Sequence, residues 1–249
     1  WGYFPETRHY DPDKLMDDKQ SGSILWAARF LDWKHPELPL LCAKYLKEKG
    51  CHFHMNLVGG GQMQPLVDQL MAQYELADVV TLLGYQTPEA VRRLMEQSDI
   101  YLATSDRKEG WGAVINEAMN SGCAVVADHM MGAAPCLIEP GRNGFLYRDG
   151  APEQLFAQVE ALLADRALCQ KVGREAYLTI TRLWNAETAA ERLISFCRAR
   201  IQGMEGTANE NVPEDSVAVW KEGPCSPAEV IGEREMLRMI LWKQQRRNR

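Results

Sequence analysis

The stretch that decides the fold is Glu109-Gly110-Trp111-Gly112-Ala113-Val114-Ile115-Asn116-Glu117. It follows the short apolar segment Ile100-Tyr101-Leu102-Ala103 and opens a helical pattern that runs from Ala113 to Asn120. The two glycines let the backbone turn tightly and come close to a ligand. The helix then begins with free N–H groups and the positive end of its dipole, which suits an anion. Glu109 sits before the helix and Glu117 in its second turn, so both can face one mouth. Glycines and amides suit a diphosphate, and carboxylates suit sugar hydroxyls. Two readings stand at this point: a nucleotide-sugar site, or a strand–turn–helix corner with two solvated glutamates.

Working outward, strands and helices alternate. Ser23 to Ala28 is a short apolar run with the length of a buried strand. Leu38 to Lys49 has helical spacing and ends in Gly50, a C-cap signal. His52 to Val58 is a second strand closed by Gly59-Gly60-Gly61, and Pro65 to Leu76 a helix. Val79 to Leu83 is a third strand, and Thr87 caps a helix with Pro88 at its first position. Ile100 to Ala103, Ala124 to Ala127 and Gly144 to Tyr147 complete the strands, and helices follow at about 152–164, 166–179 and 186–201. This alternation predicts an α/β fold, a Rossmann-like doubly wound parallel sheet with helices on both faces. Ligands bind such sheets beyond the carboxyl ends of the strands. Arg29, Gly59 to Gly61, Ser105 to Gly112 and His129 to Gly132 all fall just after strands, so they should line one crevice.

The flanks read differently. Residues 1–21 lack periodicity and read as an N-terminal linker, leaving 22–202 as the Rossmann-like domain. Residues 203–225 are rich in Gly, Glu, Asn, Asp and Pro and read as a flexible linker. Ser226-Pro227-Ala228-Glu229 is a capping box that opens a C-terminal helical extension, residues 226–249. There Val230, Leu237, Ile240 and Leu241 share a face, and Lys243, Arg246, Arg247 and Arg249 form a basic end. The pattern fits packing on the domain itself, docking on a partner, or peripheral contact with an anionic membrane surface.

Composition narrows the classes. With 46% hydrophobic and 25% charged residues among 249, a globular core is expected. A net charge of −6 argues against nucleic acid as the main ligand. No apolar run reaches the roughly eighteen residues of a membrane span. The seven cysteines are odd in number and scattered, which points to reduced thiols and a cytoplasmic protein, with the cytoplasmic face of a membrane as an extension of that reading. The chain begins at Trp1 and reads as part of a longer protein.

Arg29 and Lys34 stand five positions apart after the first strand and suit a diphosphate, Arg as a planar fork and Lys as a point charge. Gly59-Gly60-Gly61 fails the dinucleotide fingerprint, because Gln62, Met63 and Gln64 follow with no third glycine in place. It reads as a tight turn that lets a ligand approach the backbone. His52 and His54 alternate on one strand face without a third ligand at a telling spacing, so no metal site is read there. Cys123 and Cys136 show no CxxC pattern.

Taken in order, these features resemble the C-terminal, donor-binding half of retaining GT-B glycosyltransferases of the family 4 (group 1) type. The matching residues are Arg29-x4-Lys34, Leu57-Val58-Gly59-Gly60-Gly61, Val80 to Tyr85, Ala103-Thr104-Ser105 with Glu109-x7-Glu117, Glu117 to Gly122, Val125 to Ala127, and Asn143 to Leu146. The resemblance covers roughly residues 23–200. It implies that Arg29 and Lys34 hold the donor diphosphate and act in catalysis with Glu109, which contacts the transferred sugar. It implies that Glu117 binds the ribose, that Gly59, Gly60 and Ser105 border the donor, and that amides at Gly110, Trp111, Gly112, Ala113 and Val114 cap the phosphates. It further implies a nucleotide sugar as partner, no cofactor, no metal, and an acceptor-binding N-terminal domain outside this chain. Two positions depart from the family pattern. Cys136 stands in Gly132-Ala133-Ala134-Pro135-Cys136 where glutamate is common, and His35-Pro36 replaces the small residues that often follow the lysine. Two other functions fit the same architecture, a nucleotide-sugar epimerase and a binding module without turnover.

Overall fold

The computed structural model describes residues 2–205 and 223–224. A six-stranded sheet has the order β3-β2-β1-β4-β5-β6, and every adjacent pair is parallel. The strands are β1 (Gln20–Ala27), β2 (His54–Val58), β3 (Val80–Gly84), β4 (Ser98–Ala103), β5 (Ala124–Asp128) and β6 (Phe145–Tyr147). The helices are α1 (Pro12–Asp17), α2 (Glu37–Glu48), α3 (Gln64–Gln73), α4 (Pro88–Gln97), α5 (Ala113–Asn120), α6 (Ala134–Leu137), α7 (Pro152–Ala164), α8 (Arg166–Arg182) and α9 (Ala186–Glu205). Order reverses between β1 and β4, so the loops leaving those two strands diverge to opposite faces. That switch point is where a crevice opens in a doubly wound sheet.

Alternation along the central strands builds two cores. Ile24, Trp26, Ile100, Leu102 and Val126 face α2, α3 and α7, while Leu25, Tyr101, Ala103, Val125 and Ala127 face α5 and α8. β4 and β5 are buried at every position, as strands covered on both faces must be. Thr87 caps α4 through the Ala90 N–H at 3.2 Å, with Pro88 in the first turn, as its sequence predicts.

The N-terminal linker expected at 1–21 is a correction. Residues 12–17 form α1 and β1 starts at Gln20. Ahead of them, Phe4 stacks on Trp184 with ring centroids 6.3 Å apart. Arg8 pairs with Glu89 at 2.8 Å and with Glu96 at 3.3 Å, and its backbone N–H donates to Asn120 Oδ1 at 2.7 Å. The Tyr10 N–H donates to the Tyr177 hydroxyl at 2.7 Å. This segment is a strap laid over α4, α5 and α8. At the other end α9 extends to Glu205, so the linker read at 203–225 does not begin at 203. The remainder of that linker, Gly223 and Pro224 apart, and the C-terminal helical extension of 226–249 lie outside the described residues. No helix among the described residues is long and apolar enough to cross a membrane. The six cysteines among them are all free.

Candidate functional site

A pocket of about 180 Å³ opens at the switch point, and its lining includes Lys34, Thr104, Ser105, Glu109, Gly112, Ala113, Val114 and Met131. Lys34 closes a short 3-10 turn, Asp32–Lys34, in the loop after β1. Its ammonium group is ion-paired with the Glu109 carboxylate and lies 4.3 Å from the centre of the Trp33 ring. A buried hydrogen-bond chain fixes the backbone beneath it. The Trp26 indole N–H donates to Thr104 Oγ1 at 2.7 Å, and the Thr104 hydroxyl donates to the Lys34 carbonyl at 2.7 Å. The Asp106 N–H donates to the Trp33 carbonyl at 2.9 Å. The loops after β1 and β4 are therefore tied together along the pocket wall.

Helix α5 points its N-terminus into this pocket. Gly112 is its N-cap, at φ +85°, with no side-chain cap for the first helical amides. Residues other than glycine rarely adopt that conformation, and a Cβ there would come within 2.6 Å of Met131 Cε. The loop after β5 holds the turn in place. The Ala133 N–H donates to the Trp111 carbonyl at 2.7 Å, and a Cβ on Gly132 would overlap the Gly110 carbonyl oxygen. The uncapped amides leave a positive helix end facing the Lys34–Glu109 pair.

The residues expected at the site separate into groups. Lys34, Glu109, Ser105, Gly112, Ala113 and Val114 line one pocket. Arg29 is exposed on the same loop as Lys34 and outside the lining. Gly59 and Gly61 pack on the loop after β1, where a Cβ would overlap the Ala28 carbonyl oxygen or crowd Phe30, and Gly60 lies against the Tyr85 ring. The close approach that these glycines permit is to the chain's own backbone and side chains. Gly110 is exposed. The Trp111 ring turns toward the strap and the turn after α8, 6.1 Å from Trp184, with its indole N–H on Asn116 Oδ1 at 2.9 Å. Glu117 is half-buried in α5 and outside the lining; burial raises its pKa, against the opposing pull of Arg92 and Arg8. His54 holds Thr81 through Nε2 at 3.0 Å, and Cys136 is exposed on α6.

Sequence reading missed Thr104 and Trp26 as parts of the site. Thr104 carries a signal, since it stands between a predicted strand and Ser105. Met131 belongs to the His129 to Gly132 loop expected at the crevice, and it reaches the pocket because its side chain lies against Gly112 at the start of α5.

Fold and site together define a Rossmann-like α/β domain with a charged crevice at its switch point. Residues 9–179 match the family described as glycosyl transferases group 1, and the chain belongs to it. The amylovoran biosynthesis glycosyltransferase AmsK of Erwinia amylovora is 30% identical over 139 residues, 54% of this chain and 34% of that protein. The alpha-D-kanosaminyltransferase of Streptomyces kanamyceticus is 25% identical over 183 residues, 74% of this chain and 46% of that protein. The chain thus spans less than half the length of these curated relatives. Among solved structures, Anabaena Alr3699/HepE in complex with UDP superposes with a TM-score of 0.62 at 23% identity, covering 75% of this chain and 51% of that one. The C-terminal domain of the group 1 protein LpcC of Francisella tularensis superposes with a TM-score of 0.61 at 21% identity, covering 72% of this chain and 95% of that domain. At these identities the structural matches establish the fold, the Rossmann-like half seen in GT-B glycosyltransferases.

Proposed function

We propose that the chain is the donor-binding half of a retaining, family 4 hexosyltransferase, which moves a sugar from a nucleoside-diphosphate sugar to a glycan or lipid-linked acceptor. The observation that carries this reading is the Lys34–Glu109 pair in a pocket capped by the open N-terminus of α5. Lys34, with Arg29 beside it on the loop, neutralises the diphosphate, and the amides at Gly112 to Val114 receive its oxygens. Glu109 accepts hydroxyls of the transferred sugar and Glu117 those of the ribose. Gly59, Gly60 and Ser105 border the nucleotide. That the Anabaena protein of this fold is in complex with UDP supports a nucleotide as ligand.

In the reaction proposed, an acceptor hydroxyl attacks the anomeric carbon on the face the diphosphate leaves. The carbon–phosphate oxygen bond breaks, and the acceptor proton passes to the departing diphosphate. Negative charge grows on that leaving group, and fixed cations and amides stabilise it as it forms. Lys34 and the helix end supply the compensating positive charge, so the proposal assigns no metal and no cofactor. On donor arrival Lys34 exchanges part of its bond to Glu109 for phosphate oxygens, which frees the carboxylate for sugar.

The acceptor site belongs to an N-terminal domain outside this chain. A peripheral contact of residues 226–249 with the cytoplasmic face of an anionic membrane is the companion proposal for a lipid-linked acceptor. The test is to incubate the full-length protein with UDP-, GDP- and ADP-linked hexoses and an acceptor extract, and to read product anomers by NMR. Transfer with retained configuration is the expected result. Epimerised donor without transfer would move the protein to the epimerase class, and a bound but unchanged donor to a binding module.

A further inference from the structure

His35 departs from the family pattern, and its surroundings give that departure a purpose. Its backbone is left-handed, at φ 52° and ψ 58°, a conformation costly for a residue with a Cβ. Its imidazole bridges two elements. Nδ1 lies 2.9 Å from Glu37 Oε1 at the start of α2, and Nε2 lies 3.7 Å from Asp106 Oδ2 in the loop after β4. The other Glu37 oxygen is buried without a hydrogen-bond partner. Asp106 organises its own loop, because its second oxygen accepts the Lys108 N–H at 2.8 Å and its carbonyl accepts the Glu109 N–H at 3.0 Å. Lys108 in turn reaches Asp32 at 3.4 Å. His35 is thus next in sequence to Lys34, and it faces the loop that presents Glu109.

We propose that His35 is a positioning residue, whose imidazolium clasps the start of α2 to the Asp106 loop and so sets Lys34 opposite Glu109. The role rests on the nucleotide-sugar reading of the pocket, while the clasp itself is a property of the ligand-free chain. The charged groups that act most strongly on His35 are carboxylates, Glu37 on α2, Asp106 after β4 and Asp149 after β6, with Asp32 of the 3-10 turn also coupled to it; the nearby cations are Lys34, its neighbour in sequence, and Lys108, which pairs with Asp32. Burial opposes the imidazolium, but the hydrogen bond it donates to Glu37 and the pull of Glu37, Asp106 and Asp149 together outweigh it, and the pKa is raised. A raised pKa means that the clasp is complete below the ordinary histidine value near 6.5 and is lost as pH rises through the folded-state value. His129, also raised, by its bond to Asp128, titrates in the same window, so the variants must isolate His35.

Amide exchange of residues 104–112 in the full, ligand-free chain tests the clasp, with rates corrected for intrinsic pH dependence. Wild type is expected to lose roughly threefold to tenfold in protection between pH 6 and pH 8.5, the net scale of one ordinary hydrogen bond. His35→Asn tolerates the left-handed backbone without the charge, and Asp106→Asn removes the partner. Both should show the low protection at both pH values with the fold intact. Protection and pH dependence equal to wild type in both variants would overturn the clasp. Affinity for UDP, GDP and ADP at the same two pH values separates this from the nucleotide reading. Wild type that binds none of the three contradicts the proposed function. Wild type that binds, with His35→Asn matching it at both pH values, contradicts the role given to His35.

Discussion

At the residue scale, the site is held by a few groups whose removal has opposite signatures. Among the described residues Lys34 provides the only cation in the pocket's lining, so Lys34→Ala should weaken nucleoside-diphosphate binding by about 1.5–3 kcal/mol, roughly tenfold to a hundredfold. Glu109→Ala should lower turnover of the full-length protein more than nucleotide affinity, because Glu109 is assigned to the sugar; steady-state kinetics beside calorimetry would show it. Glu117 separates stability from binding. Burial raises its pKa, so the folded state binds its proton more tightly than the unfolded one. Its charge therefore costs stability above the ordinary carboxylate range, and stability rises as pH falls through the folded value. Glu117→Gln should raise Tm at pH 7.5 and weaken nucleotide binding. A lower Tm together with unchanged affinity would contradict both assignments. Lys34 and Glu109 were legible in sequence because each follows a strand at a fixed distance. Their ion pair was not, since 75 residues separate the two and only the sheet order brings them together.

At the element scale, the least legible part was the strap at the N-terminus. It has no periodicity to read, because its contacts are single residues on different helices: Phe4 on Trp184, Arg8 on Glu89 and Glu96, Tyr10 on Tyr177. Helices and strands announce themselves by repetition, and a strap does not. It also backs the site, since Gly2 lies against the Trp111 ring in the turn before α5. Deleting residues 1–10 should therefore cost about 2 kcal/mol or more, roughly 4–8 °C in Tm for a domain of this size. A linker would leave Tm unchanged in a thermal melt. Gly59 and Gly61 show the converse limit: sequence identified the turn, but that its near neighbour is the loop after β1 follows from β1 pairing with β2.

At the scale of the whole molecule, fold class was legible because βα alternation leaves few topologies, and right-handed crossovers place the reversal of strand order between β1 and β4. The crevice at that reversal gathers Lys34, Ser105, Glu109 and the start of α5, although they lie on two loops far apart in sequence. The central claim is that this crevice binds a nucleoside diphosphate through Lys34. Isothermal calorimetry of the chain with UDP, GDP and ADP, on wild type and Lys34→Ala, tests it most directly. Saturable heat with at least one of the three, weakened tenfold or more in the variant, is the predicted result. No heat with any of them in a folded sample, or equal affinity in Lys34→Ala, would contradict it.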